Sequence, residues 1–349
     1  MTGGATPGPP AAAGPAALDR VRGARPRSVR GRRRPRAGTA LTAVVVALAV
    51  LATGCGGDEQ GGPPPPATTT VAGDPALATP DPRAAGTAYL ALGDSLAQGV
   101  QRKDGTFGTT REGYPDQLAA RLRDAGLPVA LSRVGCSGAT VGSLLDGGRE
   151  CGPAAPEGPP YENRDAATGQ LAYAEGYLRA RGDRPTLVTI DIGANDLIGC
   201  AGVDPARVRS CFADGLPEVR TRLREVARRL QAAAGPNTVL AAMTYYDPAL
   251  ALVRQPLARE AATAFHDIVR RQANPTIRRT FAAEDFVVAR VDRAFDSDGP
   301  ATDAAVETAC RLTRLCGAGA DFHPNAEGYG VIADAFLGVV REPVRRVAG

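Results

Sequence analysis

Across 349 residues, 41 basic side chains against 37 acidic ones give a net charge of +4, a balance that could suggest a nucleic-acid partner. The charge is misplaced for that role. Nine arginines and one acid, Asp19, give residues 1–38 a charge of +8, so the rest of the chain carries −4, which argues against a nucleic-acid partner.

After the basic stretch comes an uncharged apolar segment, Thr39 to Thr53, in the order of a signal peptide. It is shorter than the roughly 20 apolar residues a membrane-spanning helix needs. The predicted leader covers residues 1–54. Leu51-Ala52-Thr53-Gly54-Cys55 then resembles a bacterial lipoprotein cleavage box, with Ala52 where leucine is usual. Lipidation of Cys55 is the expectation; an ordinary secreted protein and an uncleaved anchor are the competing outcomes. Residues 55–86, with Pro63-Pro64-Pro65-Pro66 and no apolar period, read as a Pro/Gly/Thr-rich tether. Residues 87–349 remain as one domain, long enough to bury a full core.

Within it, strands and helices alternate, which predicts an α/β domain with a sheet covered on both faces. A strand over Ala88–Leu92 is followed by a helix over Tyr114–Asp124, a strand over Val129–Val134 and a helix over Leu171–Arg181. Thr186–Ile192 is rich in β-branched residues and reads as a buried central strand. Val219, Leu223, Val226 and Leu230 predict an amphipathic helix over Leu216–Ala234. A strand over Thr238–Thr244, a helix over Arg259–Ala282, a strand over Phe286–Val291 and a helix over Ala326–Val340 complete the order.

Four blocks fall at strand ends or in adjoining loops, where ligand sites of such sheets gather. They are Gly93-Asp94-Ser95-Leu96, Gly135-Cys136-Ser137-Gly138-Ala139-Thr140, Gly193-Ala194-Asn195-Asp196 and Asp321-Phe322-His323-Pro324. A serine hydroxyl is a weak nucleophile and needs an imidazole to take its proton. Only His266 and His323 exist to supply one. In this order the blocks resemble the SGNH or GDSL hydrolases, in particular their secreted actinobacterial-type esterase and lipase branch. The resemblance runs from about Tyr89 to Val340.

It implies a single three-layer α/β/α domain with a mostly parallel five-stranded sheet, flavodoxin-like. It also implies Ser95 as nucleophile, His323 as base, and an oxyanion hole built from the N–H groups of Ser95 and Gly138 and the Asn195 amide. Taken singly, Gly138 and Gly193 are ordinary strand ends and Asn195 an ordinary helix cap; it is their order that favours chemistry. Asp94 and Asp196 are expected to orient their turns. His266, inside a helical stretch, is expected to be a structural or surface residue.

The chain departs from the family at the acid: the position three before His323 is Ala320, and Asp321 lies only two before. Residues two apart in an extended segment face the same side, so Asp321 can reach the imidazole. A backbone carbonyl such as that of Ala320, leaving a Ser-His dyad, is the equal alternative, with a distant carboxylate a third.

Six cysteines besides Cys55 favour disulfides in an exported chain. Their clustering suggests Cys136 with Cys151, Cys200 with Cys211, and Cys310 with Cys316. No ligand spacing for a metal is visible, and no cofactor is implied. The expected protein is a monomeric serine esterase or lipase, exported and held by its lipid anchor at the outer face of the cytoplasmic membrane. Its partner is a small-molecule or lipid ester, and the anchor is its only membrane contact. A transacylase on envelope glycans and a non-catalytic envelope-binding lipoprotein are the alternatives.

Overall fold

The apolar run at Thr87–Gly93 is buried along its whole length and forms an inner strand of the sheet in the computed structural model, which describes residues 81–103, 105–148, 169–202, 204–317 and 321–349. The leader, most of the tether, Cys55, Cys151 and Ala320 lie outside these residues. In chain order the elements begin with β1 (Thr87–Gly93), a small hairpin of β2 (Gln101–Lys103) and β3 (Thr106–Gly108), α1 (Tyr114–Asp124), β4 (Val129–Arg133) and α2 (Val141–Asp146). Then come α3 (Gln170–Arg181), β5 (Thr186–Asp191), α4 (Ala194–Leu197), α5 (Pro205–Ala233) and β6 (Thr238–Met243). The remainder is α6 (Arg259–Ile268), a π turn (Val269–Ala273), α7 (Asn274–Ala282), β7 (Val287–Ala289), α8 (Val291–Ala294), α9 (Asp303–Leu312), a hairpin of β8 (Thr313–Arg314) and β9 (Asp321–Pro324), and α10 (Ala326–Ala348).

The sheet runs β4-β1-β5-β6-β7 with every pairing parallel. This is the flavodoxin-like doubly wound order, in which the chain reverses direction across the sheet beside its first strand. Helices α1 and α10 pack together on one face, and α3, α5, α6 and α7 pack against one another on the other. β5, like β1, is buried throughout, so the two central strands are continuous apolar or β-branched runs rather than alternating ones.

Several elements differ from the sequence-based expectation. The long helix α5 starts at Pro205, not Leu216. Asp204 caps it by accepting from the Ala206 N–H at 2.9 Å, and Pro205 presets the first turn. Pro217 removes one rung without ending the helix, because Val208 and Phe212 before it and Val219 and Leu223 after it are all buried. The 259–282 stretch is helical throughout but widens into the π turn just before Pro275, whose missing N–H cannot serve the carbonyl of Arg271. Strand β7 is shorter than expected, since Val291 already opens α8, and α10 continues past Val340 to Ala348. Among the described residues, no helix is long and apolar enough to cross a membrane.

At the amino-terminal edges of β1 and β5, Arg181 is almost wholly buried and donates to the carbonyls of Pro82, Ala84, Gly86 and Pro185 at 2.7–3.2 Å. The end of the stretch assigned to the tether is thereby bonded to the sheet.

Candidate active site

Strand β1 ends at Gly93, whose φ of 136° lies in the region that favours glycine. A Cβ here would overlap the backbone carbonyl of Asp191, so no other residue fits between the two central strands. Gln170 fixes both backbone polar groups of Gly93, accepting from its N–H at 2.9 Å and donating to its carbonyl at 2.8 Å. The turn so formed carries Ser95, nearly buried, at the carboxyl end of the sheet.

His323 stands on β9, antiparallel to β8, and the Cys310–Cys316 disulfide ties the segment after β8 to α9. Asn325, two residues on, caps α10 by accepting from the Gly328 N–H at 2.9 Å. The imidazole is therefore held between a pinned hairpin and a helix start. Its Nε2 lies 2.9 Å from Ser95 Oγ, and its Nδ1 lies 2.7 Å from Asp321 Oδ1. The same carboxylate accepts the backbone N–H of His323 at 2.9 Å and that of Arg102 at 3.2 Å. Burial pushes the Asp321 carboxyl up, but the hydrogen bond and charge of His323, with the two N–H donors, outweigh burial and hold it below the usual range. Of the acceptors weighed for His323, Asp321 is in contact; the carbonyl of Ala320 lies outside the described residues.

The other two blocks converge on this turn. Gln98 donates to the Gly135 carbonyl at 3.0 Å and accepts the Ser137 N–H at 3.1 Å, tying the loop of Gly138 to the serine turn. Gly138 has φ 73°, again a glycine conformation. Asn195 sits in the first turn of α4, where Gly193 occupies the cap position, so it is not a cap residue. Its amide donates to the Ala139 carbonyl at 2.9 Å and to Asp94 Oδ2 at 3.3 Å. Asp94 accepts the Leu96 N–H at 3.0 Å and so orients the turn, while Asp196 accepts the Val141 N–H at 2.9 Å and braces the start of α2.

Behind Ser95 lies a carboxyl pair that motif reasoning missed. Asp191, on β5, accepts the Asp94 N–H at 3.2 Å and the Tyr114 hydroxyl at 2.6 Å, and Tyr245 donates to Asp94 at 3.3 Å. Burial, then the neighbouring carboxylate, pushes Asp191 well above the usual range; burial raises Asp94 too. Each carboxylate, buried beside the other, disfavours its neighbour's charge.

An apolar cavity of about 710 Å³, open mouth included, has Ser95, Asn195 and Phe322 in its wall. Leu197 and Ile198, Phe212 of α5, Phe265 of α6, Val269 of the π turn and Ile277 of α7 supply most of the rest. Tyr245, Tyr246 and Asp247, which follow β6, also line it. Tyr246 donates to the Phe322 carbonyl at 2.9 Å and supports the histidine segment, and Asn274 clamps both backbone polar groups of Tyr245 at 2.8 Å. The Cys200–Cys211 disulfide joins the segment after Ile198 to the residue before Phe212. Cys136 is also disulfide-bonded.

His266 is wholly buried away from Ser95's hydrogen bonds. Its Nδ1 lies 2.8 Å from Asp247 Oδ2 and its Nε2 lies 2.9 Å from the Gly299 carbonyl. Burial opposes its charge, yet the Asp247 hydrogen bond and charge, with the Gly299 carbonyl, raise it above its usual range. It is a structural histidine locking the segment after β6 to α6.

A doubly wound parallel sheet with these blocks at its carboxyl edge defines an α/β hydrolytic enzyme. The GDSL-like lipase/acylhydrolase family profile matches residues 91–331, well over half of the chain. The chain belongs to that family, and it is a carboxylic ester hydrolase. Similar solved structures include an extracellular lipase from Streptomyces rimosus (18% identity, 75% of this chain and 100% of that one, TM-score 0.47). Others are a phospholipase A1 from Streptomyces albidoflavus (19%, 73% and 100%, 0.44) and a lipase from a goat rumen metagenome (15%, 72% and 96%, 0.45). No curated protein sequence matches the chain.

Proposed function

We propose that the protein is an exported serine esterase or lipase, lipid-anchored through Cys55, that hydrolyses carboxylic esters through an acyl-enzyme on Ser95. The observation that carries this reading is the relay Asp321–His323–Ser95 at 2.7 and 2.9 Å, with Ser95 in the wall of an apolar cavity. His323 Nε2 takes the Ser95 proton as Oγ attacks the ester carbonyl, then returns it to the departing alcohol. Asp321 holds the proton of His323 on Nδ1, the tautomer that leaves Nε2 free to act as base. Water, activated in the same way, then releases the acid.

The developing oxyanion is met by the N–H groups of Ser95 and Gly138 and by the Asn195 amide. For Asn195 this requires one N–H to leave Asp94, its longer bond at 3.3 Å, while the bond to Ala139 keeps the side chain in place. The cavity takes the acyl chain, and its size and apolar walls favour chains longer than acetyl. The disulfides support export, being bonds that persist in oxidising compartments. The leader and the small residue before Cys55 support anchoring.

Hydrolysis of a p-nitrophenyl ester series from acetate to palmitate tests the proposal. Activity is expected to rise beyond acetate, to vanish in Ser95→Ala, and to fall about 10,000-fold in kcat in Asp321→Ala. Near-normal turnover in Asp321→Ala would remove the acid from the mechanism, and retained turnover in Ser95→Ala would remove the nucleophile.

A further inference from the structure

Asn195 has to release Asp94 before its amide can meet an oxyanion, and the release has a cost. Asp94 is almost wholly buried, so water cannot readily replace a lost donor. Its Oδ1 accepts the Leu96 N–H at 3.0 Å. Its Oδ2 accepts both the Asn195 amide and the Tyr245 hydroxyl, each at 3.3 Å. Asp191 also touches this carboxyl, but its own oxygens already accept the Asp94 N–H and the Tyr114 hydroxyl. A buried acceptor stripped of its donors carries a desolvation penalty. With the Tyr245 hydroxyl still on Oδ2, the departure of the Asn195 N–H does not strip it.

The fold places these three side chains together. Asp94 lies in the turn after β1, Asn195 in α4 just after β5, and Tyr245 two residues beyond β6. β1, β5 and β6 are parallel neighbours, so their carboxyl ends lie side by side, and all three residues line the cavity with Ser95. Tyr245 is held from its backbone: Asn274 bonds both its N–H and its carbonyl at 2.8 Å, and the Thr244 hydroxyl before it donates to Asp292 at 2.6 Å. An apolar wall needs only the aromatic ring; the hydroxyl serves Asp94.

We propose that Tyr245 is a positioning residue for the oxyanion hole: its hydroxyl keeps Asp94 Oδ2 satisfied while the Asn195 amide turns from that oxygen to the substrate. This rests on the preceding reading, ester hydrolysis at Ser95 with Asn195 as an oxyanion donor. Without the hydroxyl, Oδ2 holds the Asn195 N–H more firmly. The cost of moving it then enters the barrier rather than substrate binding.

The test measures p-nitrophenyl butanoate hydrolysis by the wild type, Tyr245→Phe, Asn195→Ala and the double variant, with Ser95→Ala as the blank. Tyr245→Phe keeps the ring in the wall, and is expected to lower kcat about 10-fold while leaving KM within about 2-fold. Asn195→Ala alone is expected to lower kcat about 100-fold or more. In that background Tyr245→Phe is expected to cost less than about 2-fold further, because no amide is left to release. Equal losses in both backgrounds overturn the proposal, as does an undiminished kcat in Tyr245→Phe or a loss confined to KM. A normal kcat in Asn195→Ala overturns the oxyanion role of Asn195 and the role of Tyr245 with it. A folded wild type that hydrolyses no ester overturns the esterase reading itself.

Discussion

Two carboxyl groups within reach of the serine turn are shifted in opposite directions, and each shift suits its place. Asp321 is held below the usual range by its contacts with His323, whereas Asp191 is pushed well above it by burial beside Asp94. The second has a consequence for stability. A carboxyl raised on folding stabilises most at acid pH, where folded and unfolded chains both carry the proton, and that contribution is lost as pH rises above about 4. Asp191→Asn keeps the shape and cannot ionise. Its melting temperature is therefore expected to gain on the wild type by about 3 °C or more between pH 4 and pH 8; parallel curves would contradict the upward shift of Asp191. Ser95, His323, Gly138 and Asn195 were legible in the sequence because their motifs are local. The Asp94–Asp191 pair was not, since it joins residues 97 apart and Asp191 looked like one more residue of a strand.

At the scale of elements, the strands and helices whose apolar period is continuous were legible, and those defined by caps or partners were not. α1 was readable to its ends because Pro115 opens it and Leu118, Ala119 and Leu122 share a buried face. α5 was read short because Gly215 and Pro217 look like a break, while its real start depends on the Asp204 cap. The β8–β9 hairpin is only a few residues long and has no period of its own. It exists because β8 and β9 pair and a disulfide ties the last turn of α9 to the residues just after β8. A loop this short gives a stabilisation of about 2 kcal/mol. A Cys310→Ser/Cys316→Ser variant is accordingly expected to lose about that much in denaturant unfolding, and to lose kcat more than it gains KM, because the hairpin carries His323. Unchanged kcat would show that α10 alone positions the histidine.

For the whole molecule, five parallel strands bring four separated blocks to one edge. The segment after β6 and helices α5 to α7 build an apolar cavity there. The alternation of elements made the sheet legible, but the cavity was not, because its wall draws Phe212, Phe265, Val269 and Ile277 from helices whose apolar stripes read simply as core. The central claim is that Ser95 becomes covalently acylated with His323 as its base. Intact-mass and peptide mass spectrometry after treatment with a fluorophosphonate ester tests it directly. A single adduct on Ser95, absent in Ser95→Ala and greatly slowed in His323→Ala, is the predicted result. No adduct on Ser95, in protein that still hydrolyses esters, would contradict it.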